Sequence, residues 1–367
     1  MDAEANPRPT LVAVAARAGV SPSTASLAFS GAGPVSAATR ARVLAAAEEL
    51  GYAGPDPRAA SLRRGRSGIV GVVFDDRLSR AFRDPVQRAM LDGVADELSP
   101  AGSALLLVTD AGDGPASVAV APMDAVILVG CSPRVAESVA LVRQRGVPVV
   151  AIEAPPLEGV HAIDLDNRGA SRRLAEHVRS LGHERVAIVA LPLDARERAA
   201  GGAPGTGRGI RALPDPAIGT VQVTMERAAG VRDVFPGAPG VVADGSFVES
   251  GEVAARVVLE RSPATDRPTV IFAQSDLLAV GVIRAARELG LRVPEDLSVL
   301  GFDGVKLDGL AADDLTTMRQ PAVEKGRAAA RAALDLAAGE VPAPVGLVCE
   351  FHAGATAGPV PAAVPAL

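Results

Sequence analysis

The stretch Thr10 to Ser30, TLVAVAARAGVSPSTASLAFS, decides how the N-terminal part of this chain folds. Its first half carries apolar residues at helical spacing, which predicts a short amphipathic helix. Gly19 then supplies the positive φ that a sharp turn requires. Ser21 is a suitable N-cap for a second helix, and Pro22 fits the first helical position, where a missing N–H costs nothing. Together they form a helix–turn–helix unit, whose second helix enters the major groove of DNA.

A third helix is predicted from Ser36, as its N-cap, to Leu50. We expect four apolar side chains of this helix to face inward: Val43, Leu44, Ala47 and Leu50. Three short helices bury little apolar surface, so such a domain is only marginally stable by itself. The same spacing also fits an ordinary helical hairpin that covers a larger domain, and spacing alone leaves both interpretations open.

Composition narrows the class of protein. The chain has 367 residues, enough for two or more hydrophobic cores, and its net charge is −6. Residues 1–66 nevertheless hold eight arginines and five acidic side chains, a net charge of +3, which places a phosphate-binding surface at the N-terminus. No apolar run approaches the roughly 20 residues of a membrane span, and residues 1–9 do not resemble a secretion signal. We therefore expect a cytoplasmic protein that does not contact membranes.

Residues that bind metals or form disulfides are too few or too scattered for a site. The chain contains two cysteines, Cys131 and Cys349, and four histidines spread along the core. No nucleophile–base pair, metal-ligand set or dinucleotide motif is recognisable, so we expect neither a cofactor nor an enzyme. The glycine-rich run at 205–209 lacks the ending of a phosphate-binding loop and lies in a segment, 195–216, interpreted as a surface insertion.

From residue 68 onward, short apolar runs alternate with helical ones. The predicted strands are 69–74, 104–108, 125–129, 147–152, 185–191, 269–273 and 298–302, and the predicted helices are 84–98, 135–145, 169–181, 246–261 and 277–289. Alternation of this kind indicates parallel sheets covered on both faces. Because the rhythm restarts after residue 164, we expect an α/β core of two doubly wound lobes. A ligand then binds between them, at the carboxyl ends of the strands.

Several segments resemble the lactose-repressor (LacI/GalR) family of bacterial transcription regulators. They are TLVAVAARAGVSPSTASLAFSG, VSAATRARVLAAAEELGY, SLRRGRSGIVGVV, RPTVIFAQSDLLAVGVIRAARELGLRVPEDLSVLGFD and LTTMRQPAVEKGRAA. The resemblance implies a homodimeric repressor that binds a pseudo-palindromic operator and responds to a small polar effector. It also implies a core like that of periplasmic binding proteins, in which the chain crosses between lobes near 164–167, 318–321 and 339–344.

The resemblance also implies a division of the chain. A helix–turn–helix headpiece occupies residues 1–53, and a hinge helix or linker occupies 54–67. The effector-binding and dimerisation core spans 68–354. Its first lobe comprises about 68–164 and 320–340, and its second comprises about 165–318 and 344–354. The Pro/Ala-rich tail, 355–367, is expected to be disordered and carries no leucine heptad.

Candidate DNA contacts follow from the family motif. Base-reading positions fall on Pro22, Ser23 and Leu27, and phosphate-binding positions fall on Thr10, Ser21, Thr24 and Ser26. Leu27 replaces the arginine often found there, so it either contacts a thymine methyl group or packs inward. In the hinge, the resemblance implies Arg58, Leu62 and Arg63, with Leu62 inserted into the minor groove. The spacing from Tyr52 to Leu62 is one residue longer than usual, and a disordered linker is the open alternative.

Candidate effector contacts also come from the resemblance. Arg227, in TMERAAGVRDVF, matches an arginine that donates to the effector, with Arg198 as the competing match. Asp303 matches a carboxylate that accepts from ligand hydroxyls. The remaining candidates are Phe82, Phe272 and Asp276, with Asp166 and Asn167 weaker. An arginine beside an aspartate suits a sugar-like ligand, with a nucleobase-like one second. A solute-binding transport protein and an α/β enzyme are the competing functions.

The hinge generates the first prediction. A helix of barely two turns is unstable alone, so it forms only where DNA and the second hinge supply contacts. The change Leu62→Ala removes the apolar wedge and should sharply reduce specific DNA binding, while effector affinity of the free protein stays unchanged. Gel shift and calorimetry on the same variant measure the two affinities. Wild-type operator affinity in Leu62→Ala would mean that the segment is only a tether.

Overall fold

A computed structural model describes residues 9–31, 33–54, 65–74, 78–109, 118–129, 135–194, 210–263, 265–307 and 314–362. The chain divides into two compact units, Met1–Gly68 and Ile69–Leu367. The hinge candidates Arg58, Leu62 and Arg63 lie outside the described residues, as does Arg198.

The first unit contains three helices: α1 (Leu11–Ala18), α2 (Pro22–Ser30) and α3 (Ala37–Glu49). Their caps are those that the sequence predicts. The Ser21 hydroxyl accepts the Thr24 N–H at 3.1 Å, and Gly19 ends α1 with a φ of 66°.

The small core of this unit is largely alanine and valine. Its buried residues are Val14, Ala15, Ala25, Ala28, Val43, Ala46 and Ala47. The prediction that Leu44 and Leu50 face inward is wrong, because the side of α3 that packs on α1 and α2 is formed by Val43, Ala46 and Ala47. Leu44 is 45% exposed and Leu50 is 37% exposed.

The second unit begins with the first lobe. In chain order its elements are β1 (Ile69–Phe74), α4 (Leu78–Ala81), α5 (Pro85–Leu98), β2 (Ala104–Thr109), β3 (Ala125–Val129), α6 (Val135–Gln144), β4 (Val149–Ile152) and β5 (His161–Leu165).

The second lobe follows directly. Its elements are α7 (Asn167–Ser180), β6 (Val186–Ala190), β7 (Arg211–Ala212), α8 (Gln222–Arg232), β8 (Gly240–Val242), α9 (Val248–Glu260), β9 (Val270–Ala273), α10 (Asp276–Glu288), β10 (Ser298–Asp303) and β11 (Thr316–Arg319). The chain then returns to the first lobe with α11 (Ala322–Ala338) and β12 (Val345–Leu347), and it joins the second sheet again with β13 (Glu350–His352).

Each lobe is built on one sheet whose two faces are both covered. The described strands pair in the orders β12-β5-β4-β3-β1-β2 and β13-β11-β10-β9-β6-β8-β7. The first sheet is parallel throughout, whereas β7 and β13 run antiparallel at the two edges of the second. Separate hydrophobic clusters lie on the two faces of each sheet. This architecture confirms the predicted pair of doubly wound lobes.

Three crossings connect the lobes, and the last differs from its predicted position. The first lies between β5 and α7, and the second lies at Gln320 and Pro321, between β11 and α11. Residues 339–344 do not cross, because β12 still pairs with β5 in the first sheet. The crossing occurs at Val348 and Cys349, where the chain leaves β12 for β13 of the second sheet.

The prediction of a disordered tail is wrong for its described part, residues 355–362. Thr356 is buried, and its hydroxyl donates to the Val299 carbonyl at 2.7 Å. The Val360 N–H donates to the Leu181 carbonyl, and the Gly358 carbonyl lies 2.9 Å from Nε2 of His183. Backbone pairing with the second lobe fixes this segment despite its composition. Similarly, β7 shows that residues 211–212 of the proposed insertion pair with the sheet.

Close helix pairing through glycine holds the first lobe together. Gly326 of α11 faces α5, and a Cβ added there would collide with the Met90 carbonyl oxygen. Gly93 of α5 makes the reciprocal approach to the Val323 carbonyl. The absent side chains allow the two helix backbones to touch.

We predict that Gly326→Ala destabilises the core by about 1–3 kcal/mol, because a backbone carbonyl cannot move aside for the new methyl group. Urea unfolding measures the loss. Gly346→Ala is the matched control, since a Cβ at Gly346 meets no atom within 4 Å. Equal urea concentrations at the unfolding midpoints of the two variants would show that α5 and α11 move apart without loss of stability.

Candidate functional site

The outward side of α2 carries the candidate base-reading residues. Pro22, Ser23 and Leu27 are exposed, opposite the buried Ala25 and Ala28. The exposure of Leu27 shows that it does not pack in the core of the unit.

The candidate phosphate-binding hydroxyls surround the start of the same helix. Thr10 and Ser21 are exposed, whereas Thr24 and Ser26 are half-buried. The Ser21 hydroxyl lies 2.8 Å from the hydroxyls of Ser23 and Thr24. Such a cluster of hydroxyls and backbone N–H groups at a helix N-terminus suits a phosphate.

A cavity of about 110 Å³ lies between the two lobes of the second unit. That volume holds several waters or part of a small polar ligand. Its aliphatic wall is formed by Val86, Met90, Val129, Ile152, Leu191, Val221 and Val223. Its charged and amide side chains include Glu153, Arg227, Asp303, Gln320 and Lys325.

Arg227 projects from α8 and is 3% exposed. Its Nε donates to Oδ1 of Asn167 at 2.9 Å, and its Nη1 donates to the Gln274 carbonyl at 2.6 Å and to Oδ1 of Asp303 at 3.3 Å. The guanidinium carbon lies 3.6 Å from the centre of the Phe302 ring, a cation–π contact. These contacts fix the plane of the guanidinium group.

Asp303 ends β10 and accepts through Oδ1 a second hydrogen bond, from Nε2 of Gln320 at 2.6 Å. Burial raises the pKa of Asp303 to about 8; the Arg227 charge opposes this shift, whereas the Asp276 and Asp84 charges add to it. Its φ is 121°, and that of Glu153 is 51°. These are the two non-glycine residues with positive φ in the described chain. Strained backbone of this kind concentrates at functional sites.

Glu153 and Lys325 form a second buried ion pair on the first lobe. Nζ of Lys325 donates to Oε2 of Glu153 and to Oε1 of Gln320. Nδ2 of Asn167 donates to Oε1 of Glu153 at 2.7 Å. Burial alone would raise the pKa of Glu153, but the Lys325 and Arg227 charges outweigh it and the pKa is lowered.

These contacts close into a ring of six side chains, which we call the polar ring. In order around it lie Lys325, Glu153, Asn167, Arg227, Asp303 and Gln320. Glu153 and Lys325 belong to the first lobe, Arg227 and Asp303 to the second. Asn167 and Gln320 lie where the chain crosses. The ring therefore joins both lobes and two of the crossings by hydrogen bonds.

Comparison with known proteins decides the family. Two family models match: bacterial regulatory proteins of the lacI family over residues 10–54, and a periplasmic binding protein-like domain over residues 175–356. An HTH-type transcriptional regulator of Mycobacterium tuberculosis (strain ATCC 25618 / H37Rv) is 35% identical over 96% of this chain and 98% of the relative. The chain belongs to the LacI family. This confirms the predicted DNA-binding transcriptional regulator and excludes the enzyme, because the relatives are regulators.

Two further matches support this LacI-family regulator. The HTH-type transcriptional regulator CelR of Thermobifida fusca is 32% identical over 94% of this chain and 96% of the relative. A solved transcriptional regulator CelR–cellobiose complex is 28% identical, with a TM-score of 0.64, over 95% of this chain and 100% of that chain.

Three expected effector contacts lie away from the described lining of the cavity. Phe272 is 3% exposed and packs in the second lobe, with its ring 6.2 Å from that of Phe235. Phe82 follows α4 and is 54% exposed. Strand alternation turns Phe272 toward α7 and α8, so expecting it in the cleft was wrong.

Asp276 has a structural role instead. Its carboxylate accepts from the Thr317 hydroxyl at 2.6 Å and from the Val305 N–H at 2.9 Å. Burial raises the pKa of Asp276 to about 6, and these hydrogen bonds limit the shift. Through the Val305 contact it fixes the loop that follows β10. The structure does not support a direct contact of Asp276 with the effector, because its carboxylate is buried, bonded to protein groups and outside the described lining of the cavity.

Sequence reasoning missed Glu153, Gln320 and Lys325. One signal was present: Lys325 is one of two lysines in a chain otherwise basic through arginine. In the part of the chain that the structure describes, no cluster of His, Cys, Asp and Glu is able to hold a metal ion. No helix among these residues is long and apolar enough to cross a membrane.

The raised pKa of Asp303 generates a prediction about stability. In the unfolded chain this carboxyl titrates near its ordinary value of 3.8, whereas in the folded protein it holds its proton to about pH 8. The folded state thus binds one more proton across this window. The free energy of unfolding should decrease as the pH rises through it, by at most about 1.4 kcal/mol per pH unit.

Asp303→Asn should flatten this dependence, because the amide does not titrate. Urea unfolding at a series of pH values from 5 to 8, chosen inside that roughly four-unit window, measures the slope. Asp96→Asn is the control, since the Asp96 side chain is 54% exposed. An unchanged slope in Asp303→Asn would contradict the assignment of the bound proton to this carboxyl.

Proposed function

We propose that this LacI-family regulator is a homodimeric cytoplasmic repressor whose operator binding is controlled by a neutral, polyhydroxylated effector in the cavity between the lobes. The observation that supports this most directly is the polar ring. It surrounds an aliphatic cavity with paired donors and acceptors that belong to both lobes.

Arg227 and Asp303 have hydrogen-bonding capacity left for a ligand. Nη2 of Arg227 makes no hydrogen bond to the described residues, and both protein donors to Asp303 bind Oδ1, which leaves Oδ2. A hydroxyl group both donates and accepts, so two adjacent hydroxyls suit a free guanidinium nitrogen beside a carboxyl oxygen. This pairing favours a sugar or another polyol.

Charge and shape narrow the ligand class further. Of the two cations in the polar ring, Lys325 is paired with Glu153, and Arg227 is stabilised by its hydrogen bonds and by the Phe302 ring, so neither cation needs a charged ligand. No aromatic side chain lines the described part of the cavity, which disfavours a nucleobase-like ligand that needs a stacking surface. The CelR–cellobiose complex supports a sugar by similarity.

The headpiece supports a dimer on a symmetric operator. A single short recognition helix contacts too few base pairs for specific binding, and a homodimer doubles them on two half-sites. In the proposed mechanism, the effector exchanges hydrogen bonds with the polar ring and shifts the lobes. The hinge helices then separate and operator affinity falls.

Selection of bound genomic fragments by the full-length protein tests this function. We expect a pseudo-palindromic site, a log–log salt slope of roughly −4 to −8, and release by one member of a panel of neutral sugars and polyols that includes cellobiose. Sugar phosphates and nucleosides serve as controls. A site without symmetry contradicts the dimer, and release by a nucleoside contradicts the ligand class.

Arg227→Ala should weaken binding of the identified sugar by about 1.5–3 kcal/mol, because it removes charge-assisted hydrogen bonds. Operator affinity without sugar should change little. Calorimetry and gel shift measure the two affinities, and Arg256→Ala, on the surface of the same lobe, is the control. Wild-type sugar affinity in Arg227→Ala would place the ligand elsewhere.

A further inference from the structure

The recognition helix α2 has an unusual chemical character. Its sequence, PSTASLAFS, contains no Arg, Lys, Asn, Gln, Asp or Glu. The side chains that make two hydrogen bonds to one guanine or adenine are therefore absent from it. Its polar groups are hydroxyls, and those at its start already lie within hydrogen-bonding distance of one another, with Ser21 next to Ser23 and Thr24.

Leu27 lies on the outward side of this helix. At 100° per residue it shares that side with Ser23 and Ser30, both exposed, while Ala25 and Ala28 face the core. Leu27 is 39% exposed. The two neighbouring serines are short, so the leucine side chain extends furthest from this part of the helix.

The loop after α2 holds the Leu27 side chain in place. A Cβ added at Gly33 would lie 3.2 Å from Cδ2 of Leu27 and 3.7 Å from Cδ1, so the isobutyl group rests against the Gly33 backbone. One side of the leucine is thus supported, and the other remains open. A supported apolar group loses little conformational freedom when it contacts a ligand.

We infer that Leu27 is a specificity-determining residue that packs against the C5 methyl group of a thymine in the major groove. Among the features that base pairs present there, this methyl group is the apolar one. A symmetric pair of such thymines, one in each half-site, rests on the homodimer proposed above. The structure therefore assigns this position of the operator to A·T pairs read by apolar contact.

Replacing thymine by uracil in the selected operator removes only the methyl group and tests this inference. Each symmetric pair of thymines is changed in turn, and affinity for the full-length protein is measured by gel shift or fluorescence anisotropy. We expect one pair to lower the affinity about fourfold per half-site, or about fifteenfold in total. The other pairs should change it less than about twofold.

The variant Leu27→Ala identifies the side chain responsible. It should bind the thymine operator more weakly and should no longer distinguish thymine from uracil at the sensitive pair. Leu44→Ala is the matched control, because Leu44 is also exposed in the headpiece but lies on α3. It should keep the full discrimination. Circular dichroism melting confirms that both variants are folded.

Two results would overturn the inference. Either no thymine pair responds to uracil, or Leu27→Ala retains the discrimination; in both cases Leu27 serves only to pack on Gly33. Failure of the regulator function is distinguishable, since the wild-type protein would then select no symmetric site at all. Selection of a symmetric site without uracil sensitivity leaves the regulator intact and rejects only the role of Leu27.

Discussion

The contact between Arg227 and Asp303 is the interaction on which the organisation of the core depends. Both groups are buried, so each has lost water that a single contact between them does not fully replace. The polar ring compensates, because Asn167, Gln320 and the Gln274 carbonyl supply further hydrogen bonds. A buried network of this kind contributes more to a unique arrangement than to stability. Here it connects two sheets that share no strand.

The doubly wound topology explains why the ring forms where it does. In a parallel sheet the carboxyl ends of all strands meet at one edge, and two such edges face each other across the cleft. Glu153 follows β4, Asp303 ends β10 and Gln320 follows β11, while Asn167 comes two residues after β5. Four of the six members thus come from strand ends, which leaves Arg227 and Lys325 to reach the cleft from helices. The fold brings these residues together although as many as 172 positions separate Glu153 from Lys325.

The sequence predicted the secondary structure of the core well and its site only in part. Apolar β-branched runs marked most of the longer strands because a strand covered on both faces needs apolar residues at every position. Arg227 and Asp303 were identified through the family motifs. Glu153 and Lys325 were not, since a buried charge pair is defined by its partner across the cleft, and a single sequence does not show which residues meet. The phenylalanines were misplaced for the same reason: an aromatic residue fits a core and a ligand platform equally well.

Errors at the periphery have a different physical origin. The tail after Gly354 has the composition of a disordered segment, yet its backbone groups pair with Val299 and Leu181. Composition indicates how much apolar surface a segment is able to bury. These residues are instead fixed by backbone hydrogen bonds, which depend little on side-chain type. Leu44 shows the reverse case. Its apolar side chain fits the predicted inner face of α3, but alanines allow the three helices to approach closely, and the larger side chain is left outside.

The two units therefore divide recognition in physically different ways. In the proposed function, the core recognises its ligand with buried, mutually oriented polar groups, where an unpaired group costs about 1–3 kcal/mol and discrimination is correspondingly sharp. The headpiece presents hydroxyls and one supported leucine, contacts that are each weak in water and readily lost. A DNA-binding domain of this kind derives much of its affinity from contacts to DNA phosphates and from binding two half-sites at once. For the proposed homodimer, occupancy on DNA then depends strongly on dimer geometry. In the proposed mechanism, small shifts around the polar ring suffice for control because the DNA contacts they must overcome are individually weak.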